Sequence, residues 1–186
     1  VDNKHEIYMI RKFENIPQIF VSSYGFRVLD GSGKIFYDDE AAIKDIVPLD
    51  EKNFAFASSG SCGFISLGKT KTDWTQIFKT DIVYHQQFTL LNKVRGKSVV
   101  FDENKQRILF ATNKGLFSVN KFGTKEILEN NKSLYLSRLV KFKNEILALT
   151  QNNKLLKIEG DKVVNPKFAG LLEDVKVLNI RMVNSR

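Results

Sequence analysis

The sequence predicts an all-β chain assembled from repeated strand pairs. Three observations carry that prediction: short apolar runs of four to six residues, turn residues between them, and the return of the same hairpin phrase along the chain. Runs such as Asn53-Phe-Ala-Phe-Ala57, Arg107-Ile-Leu-Phe-Ala-Thr112 and Glu145-Ile-Leu-Ala-Leu-Thr150 are too short for helices and rich in strand-forming residues. Asp, Asn and Gly recur between them, at residues 30–33, 102–105, 113–115, 151–153 and 160–161, where tight turns need residues that accept positive φ. Helical periodicity is weak; the two best candidates, residues 39–44 and 169–175, span two turns or less.

The hairpins repeat as wholes. Copies occupy residues 18–28, 53–67, 107–119 and 145–158, so their starts are 35, 54 and 38 residues apart. A preceding strand is recognisable as Asp45-Ile-Val-Pro-Leu49, Ser98-Val-Val-Phe-Asp102 and Arg138-Leu-Val-Lys-Phe142. Trailing strands are expected near residues 75–78, 125–128 and 162–164. Four strands per period of about 40 to 50 residues is the pattern of a β-propeller blade. A blade is apolar on both faces and needs neighbouring blades to keep it dry, which fits strands with consecutive apolar residues instead of strict alternation. A β-sandwich, which also uses short strands and frequent turns, is the alternative. The predicted arrangement is therefore a β-propeller segment of about four four-stranded blade-like repeats. Its units lie near residues 1–44, 45–97, 98–137 and 138–176, with a partial fifth from 177, and they form a single segment over 1–186. Remaining blades of a longer protein, or self-association, are expected to complete it.

Composition limits the chemistry. Hydrophobic residues make up 42% of the 186, enough for a packed core, and the longest apolar runs are far too short to span a membrane as a helix. Cys62 is the only cysteine and His5 and His85 are the only histidines, so no internal disulfide, no cysteine-based zinc site and no other dense metal site is expected; nor is a cofactor. The net charge is +8, carried by 22 Lys and 7 Arg, with an excess of +6 in residues 121–186. Scattered lysines suit solvated strand faces, or attraction to a polyanion such as an acidic glycan. The Arg-poor pattern lacks a basic helix or an RNA-binding signature, so nucleic acid is not an expected partner.

Catalytic motifs fail on inspection. Asp30-Gly-Ser-Gly-Lys34 lacks the first Gly and the Ser/Thr of a phosphate loop, and Lys34 fills a calcium-ligand position. Ser59-Gly-Ser-Cys-Gly63 offers Cys62 as a nucleophile with His85 as base, yet it falls inside a repeat hairpin, where a lone Cys packs as a small hydrophobe. The paired acids in residues 38–40 and 173–174 suit turns or helix starts better than glycoside hydrolysis. No catalytic residue is predicted. The insertion behind the 54-residue spacing is the predicted ligand site, because loops on a propeller carry recognition. In it, Trp74, Tyr84 and His85 suit stacking on a sugar ring, while Lys69 and Lys71, with Lys79, suit an acidic group; packing of Trp74 and Tyr84 between blades is the competing reading.

Arg107-Ile-Leu-Phe-Ala-Thr-Asn-Lys-Gly-Leu-Phe-Ser-Val-Asn120, with Val99-Val-Phe-Asp-Glu-Asn-Lys105 before it, resembles the repeat of two-component regulator propellers. In that family an apolar strand, a small-residue and Thr step, a Gly turn and an apolar pair follow one another. The copy at 145–158 departs by carrying Asn152-Asn153 in place of Gly, and the Trp usual in the first strand is Phe110 or Leu147 here. The resemblance implies the extracytoplasmic sensor domain of a membrane-anchored hybrid two-component regulator, on the periplasmic side of a bacterial inner membrane. It implies a non-catalytic role with polysaccharide fragments as ligand, and membrane attachment only through segments of the parent outside this chain. A propeller scaffold for protein partners and a glycan-active propeller enzyme are the alternatives.

Overall fold

The computed structural model describes residues 6–23, 25–29, 34–37, 42–67, 86–172 and 175–181, with the backbone alone for 34–37 and 86–88. Among the described residues the chain forms four antiparallel sheets in which chain neighbours are sheet neighbours. The first holds β1 (Met9–Lys12), β2 (Ile19–Ser23), β3 (Gly25–Leu29) and β4 (Lys34–Tyr37); the second holds β5 (Ile43–Pro48), β6 (Asn53–Ser58), β7 (Ser61–Ser66) and β8 (Gln86–Asn92). The third holds β9 (Gly96–Asp102), β10 (Arg107–Thr112), β11 (Gly115–Asn120) and β12 (Gly123–Glu129), with the two-residue β13 (Lys132–Ser133) added at the edge of β12. The fourth holds β14 (Leu136–Phe142), β15 (Glu145–Thr150), β16 (Leu155–Glu159) and β17 (Lys162–Val164). This is the blade architecture that the repeated hairpins predict: β2–β3, β6–β7, β10–β11 and β15–β16 are the four copies.

The Ser/Thr step of the repeat has a physical role. At the end of the first strand of each central hairpin stands a buried hydroxyl: Ser22, Ser58, Thr112 and Thr150. Ser58 Oγ donates to Ser61 O at 2.9 Å and accepts from Ser61 N at 3.1 Å. Thr112 Oγ1 donates to Gly115 O and accepts from Lys114 N, both at 3.0 Å. Thr150 Oγ1 accepts from Lys154 N at 2.9 Å. Each hydroxyl thus satisfies turn backbone that the strand ladder leaves unpaired. In the fourth copy Asn153, at φ 64°, adopts the left-handed conformation, and Asn is among the few non-glycine residues that do so cheaply.

The chain divides into two compact units, residues 1–96 and 97–186. In the first unit the first two sheets meet across Met9, Phe20, Phe26 and Val28 on one side and Ile43, Ile46, Phe54, Phe56 and Ile65 on the other. Phe20 and Phe54 centre that core, their ring centroids 4.5 Å apart. In the second unit Val100, Leu109, Leu116 and Ile127 of the third sheet pack on Leu136, Leu139, Ile146 and Leu156 of the fourth. Buried Ser98 of β9 bridges the backbone of Leu139 in β14, accepting from its N at 3.1 Å and donating to its O at 3.3 Å. Burying each such Phe, Leu or Ile contributes about 1.5–3 kcal/mol, so face-to-face packing of the two sheets dominates the stability of each unit. Every residue of β6 and of β10 is buried, as expected for strands covered on both faces, whereas β2 buries only alternate residues.

Both helix expectations need correction. Ile43 and Lys44 belong to β5, since β-branched Ile43 and Ile46 pair into a sheet whose core face they fill; residues 39–41 lie outside the described residues. Ala169–Leu172 is one 3-10 turn with no buried residue, so no apolar face holds a longer helix there. The trailing strand expected at 75–78 lies outside the described residues, and residues 177–181 carry no strand.

Candidate functional site

All five predicted ligand residues, Lys69, Lys71, Trp74, Tyr84 and His85, lie outside the described residues, as do Lys79, Asp30, residues 38–40 and residues 173–174. Cys62 lies in β7 opposite Ala57 and is fully buried. Burial pushes its thiol pKa up to about 12, outweighing a hydrogen bond to the Ser58 backbone that favours the thiolate. At neutral pH it is a protonated, inaccessible thiol, without the thiolate that nucleophilic catalysis requires. Among the described residues no three His, Cys, Asp or Glu side chains converge as metal ligands.

The structure instead shows a polar cleft in the second unit, which the sequence reading missed. Its origin is the period-two alternation of the third sheet. On the face turned to the fourth sheet, β10 carries Ala111 and Leu109 and then Arg107; β11 carries Leu116 and then Ser118 and Asn120; β12 carries Ile127 and then Lys125 and Gly123. Along one face the apolar core gives way to polar and charged side chains near the β9–β10 and β11–β12 connections. The cleft there has a volume of about 330 Å³, and Lys105 and Asp161 complete its lining.

Arg107 organises the site. Its side chain is only 3% exposed. Nε donates to Asp102 Oδ2 at 2.9 Å, Nη1 to Asp161 Oδ1 at 2.8 Å and Nη2 to Gly160 O at 2.7 Å. A guanidinium fork is suited to satisfying three acceptors at once, and here it ties the β9–β10 connection of the third sheet to the β16–β17 turn of the fourth. Gly160 sits at φ 62° and lets that turn present its carbonyl. Asp161 is half exposed, and its second oxygen accepts from Lys125 Nζ at 2.7 Å. Lys125 first, and Arg107 behind it, hold the Asp161 carboxyl below its ordinary pKa. Lys105, at the end of the 3-10 turn Glu103–Lys105, is exposed, and its Nζ lies beside Gly160, 3.4 Å from where a Cβ on that residue would stand. The turn between β11 and β12 is set by Asn120 Oδ1, which accepts from Phe122 N at 2.9 Å, and it leaves the Phe122 ring 86% exposed.

Chemically the arrangement offers binding. It holds cations, one half-exposed carboxylate, an amide and a hydroxyl, with no nucleophile–base pair among them. The only trace of it in the sequence is the replacement of apolar by polar or charged residues, Arg107, Ser118 and Lys125, on one face of these strands.

No protein-family model matches the chain, and no curated protein matches it in sequence. Solved structures do resemble it. The chain superposes on a chain named as the extracellular domain of a one-component system from Bacteroides thetaiotaomicron with a TM-score of 0.54 at 15% identity, covering 80% of this chain and 20% of that one. A structural-genomics protein of unknown function from the same organism gives 0.54 at 15% identity, over 83% of this chain and 41% of that one. The Pan2 WD40 domain of Neurospora crassa gives 0.55 at 12% identity, over 88% and 51%. At such identities the likeness establishes the fold, a β-propeller segment. The chain spans between a fifth and about half of the length of these three structures.

Proposed function

We propose that this chain is part of a β-propeller sensing domain, the extracytoplasmic portion of a membrane-anchored two-component regulator that binds ligand without chemistry of its own. The observation that supports the reading most is the combination of four blade-like sheets with structural likeness to a bacterial extracellular regulator domain. The polar cleft, the burial of Cys62 and the two-component resemblance of residues 99–120 point the same way. No helix among the described residues is long and apolar enough to cross a membrane. In this reading the chain itself lies on the periplasmic side, and other segments of a parent protein supply anchoring and signalling. Polysaccharide fragments are the proposed ligand class. Further sheets of the parent, or a second copy, would cover Ile10 and Ile19, which stand exposed on the face of β1 and β2 opposite the Phe20 core.

A thermal-shift screen of neutral and acidic oligosaccharides tests this. At a ligand concentration a hundredfold above Kd the gain is about 2.7 kcal/mol, or roughly 5–10 °C for a chain of this size. Such a shift with one glycan class and no product release supports a sensor, and Trp74→Ala and Tyr84→Ala should reduce it if the insertion at residues 69–75 and 81–88 contributes. Turnover of any glycan, or the absence of a shift with every glycan, contradicts the reading.

A further inference from the structure

We propose that the cleft between the third and fourth sheets is a subsite for an acidic sugar, a ring that bears hydroxyls and one carboxylate. The proposal rests on the binding-module reading and adds a place and a ligand class to it. Its charge, its hydrogen-bonding groups and its apolar neighbour select this class. Within the site Lys105, Arg107 and Lys125 oppose Asp102 and Asp161, leaving one positive charge in excess, which suits a single carboxylate. The Arg107 fork is already occupied by Asp102, Asp161 and Gly160, so no bidentate clamp remains for phosphate, and lysine ammonium groups supply the charge. Lys105 Nζ makes no hydrogen bond or ion pair among the described residues and overhangs the Gly160 turn, where an incoming carboxylate would meet it.

The remaining groups read hydroxyls. Asp161, 49% exposed, has acceptor capacity toward a sugar O–H, and the Asn120 amide nitrogen is a donor. Phe122 is the proposed apolar side of the subsite. Its turn joins the lining residues Asn120 and Gly123, and its ring is 86% exposed, with Lys121 Nζ 5.1 Å from its centroid and the opposite face open for the C–H face of a pyranose. Phe122 lies in an exposed turn and Lys105 in a surface 3-10 turn, so neither supports the core and both are clean to remove.

The test is an NMR titration of the whole chain with a galacturonate disaccharide, a glucuronate-containing disaccharide, the neutral disaccharide cellobiose and inorganic phosphate, repeated on Lys105→Ala and Phe122→Ala. The expected result is saturable shift changes at the amides of Lys105, Phe122 and Gly123 with uronates, binding weakened about tenfold in each variant, and an affinity that falls with salt. Equal affinity for cellobiose or phosphate, or unchanged uronate affinity in both variants, overturns the subsite. Uronate or neutral-glycan binding whose shifts avoid this cleft and that is lost in Trp74→Ala removes the subsite but leaves the sensing reading standing; failure of every glycan to bind removes both.

Discussion

Replacing Arg107 by Ala is the most informative single perturbation of the second unit. The side chain is 3% exposed and its partner Asp102 is 11% exposed, joined by a 2.9 Å bond. Removing the guanidinium leaves the Asp102 carboxylate in a largely dry site without its counter-charge, and breaking a buried pair from one side costs about 3–5 kcal/mol. The other two acceptors lose less, because Asp161 is half exposed and water can replace the arginine there. For a chain of this length 1 kcal/mol corresponds to roughly 2–4 °C, so the melting transition of the chain should fall by about 6–20 °C. Lys125→Ala, which disrupts a surface pair, should cost about 1 kcal/mol or less; Asp161→Ala also takes one acceptor from buried Arg107, but water can reach that half-exposed position, so it should cost about 1–2 kcal/mol. Asp102→Asn combined with Arg107→Met should recover most of the loss, since the uncompensated charge is then gone. Urea unfolding followed by fluorescence and circular dichroism measures all four. An Arg107→Ala loss below 1 kcal/mol, or equal losses for Arg107→Ala and Asp161→Ala, would refute the reasoning.

Gly96 makes a comparable argument in the first unit: a Cβ there would stand 2.7 Å from Cys62 Sγ and 2.9 Å from Ala57 Cβ, so Gly96→Ala should cost about 1–3 kcal/mol in chemical denaturation. Adding Cys62→Ala should return only part of this, because the Ala57 contact remains; a neutral Gly96→Ala contradicts the close approach. Cys62 should resist a thiol-directed disulfide reagent at pH 8 in the native chain and react once urea unfolds it. Because its folded pKa is about 12 against an ordinary 9.0, its contribution is intact below pH 9 and is lost at about 1.4 kcal/mol per pH unit above it, which a stability–pH series on wild type and Cys62→Ala would reveal. Asp161 runs in the opposite sense: its folded pKa lies below 3.8, so its ion pairs stabilise above that pH and fade as pH falls further. Wild type and Asp161→Asn should therefore differ at pH 6 and converge in strong acid; a constant difference would show that the carboxylate charge is irrelevant.

Much of the fold was legible because the repeat is written in chemistry that each copy needs. Ser22, Ser58, Thr112 and Thr150 form hydroxyl bonds to their hairpin turns, and the fourth copy, without the glycine, turns through one more residue with Asn153 at positive φ. Consecutive apolar residues in β6 and β10 report burial on both faces, and that pattern is local. The two helix candidates misled because short mixed-polarity stretches satisfy a helical period without an apolar surface to receive them. The cleft was not legible, since Lys105, Asn120, Lys125 and Asp161 meet only when three turns are brought together by packing of the sheets. Arg107 reads locally as the first residue of a strand, and its burial depends on Asp161, 54 residues away. Asp161 itself was read as a turn residue, which it is, but the turn also presents its carboxylate to two cations.

The central claim is that each sheet is built on a four-stranded meander and that, within each unit, the two sheets stack face to face. Nuclear Overhauser contacts between backbone protons of paired strands test it most directly. The account predicts contacts for Ile108 with Val119, Leu116 with Ile127 and Ala148 with Leu156, and side-chain contacts without backbone pairing between Phe20 and Phe54. Backbone ladders joining β2 to β6, or β10 to β15, would describe strands exchanged between two sandwich sheets and would contradict the architecture on which the rest stands.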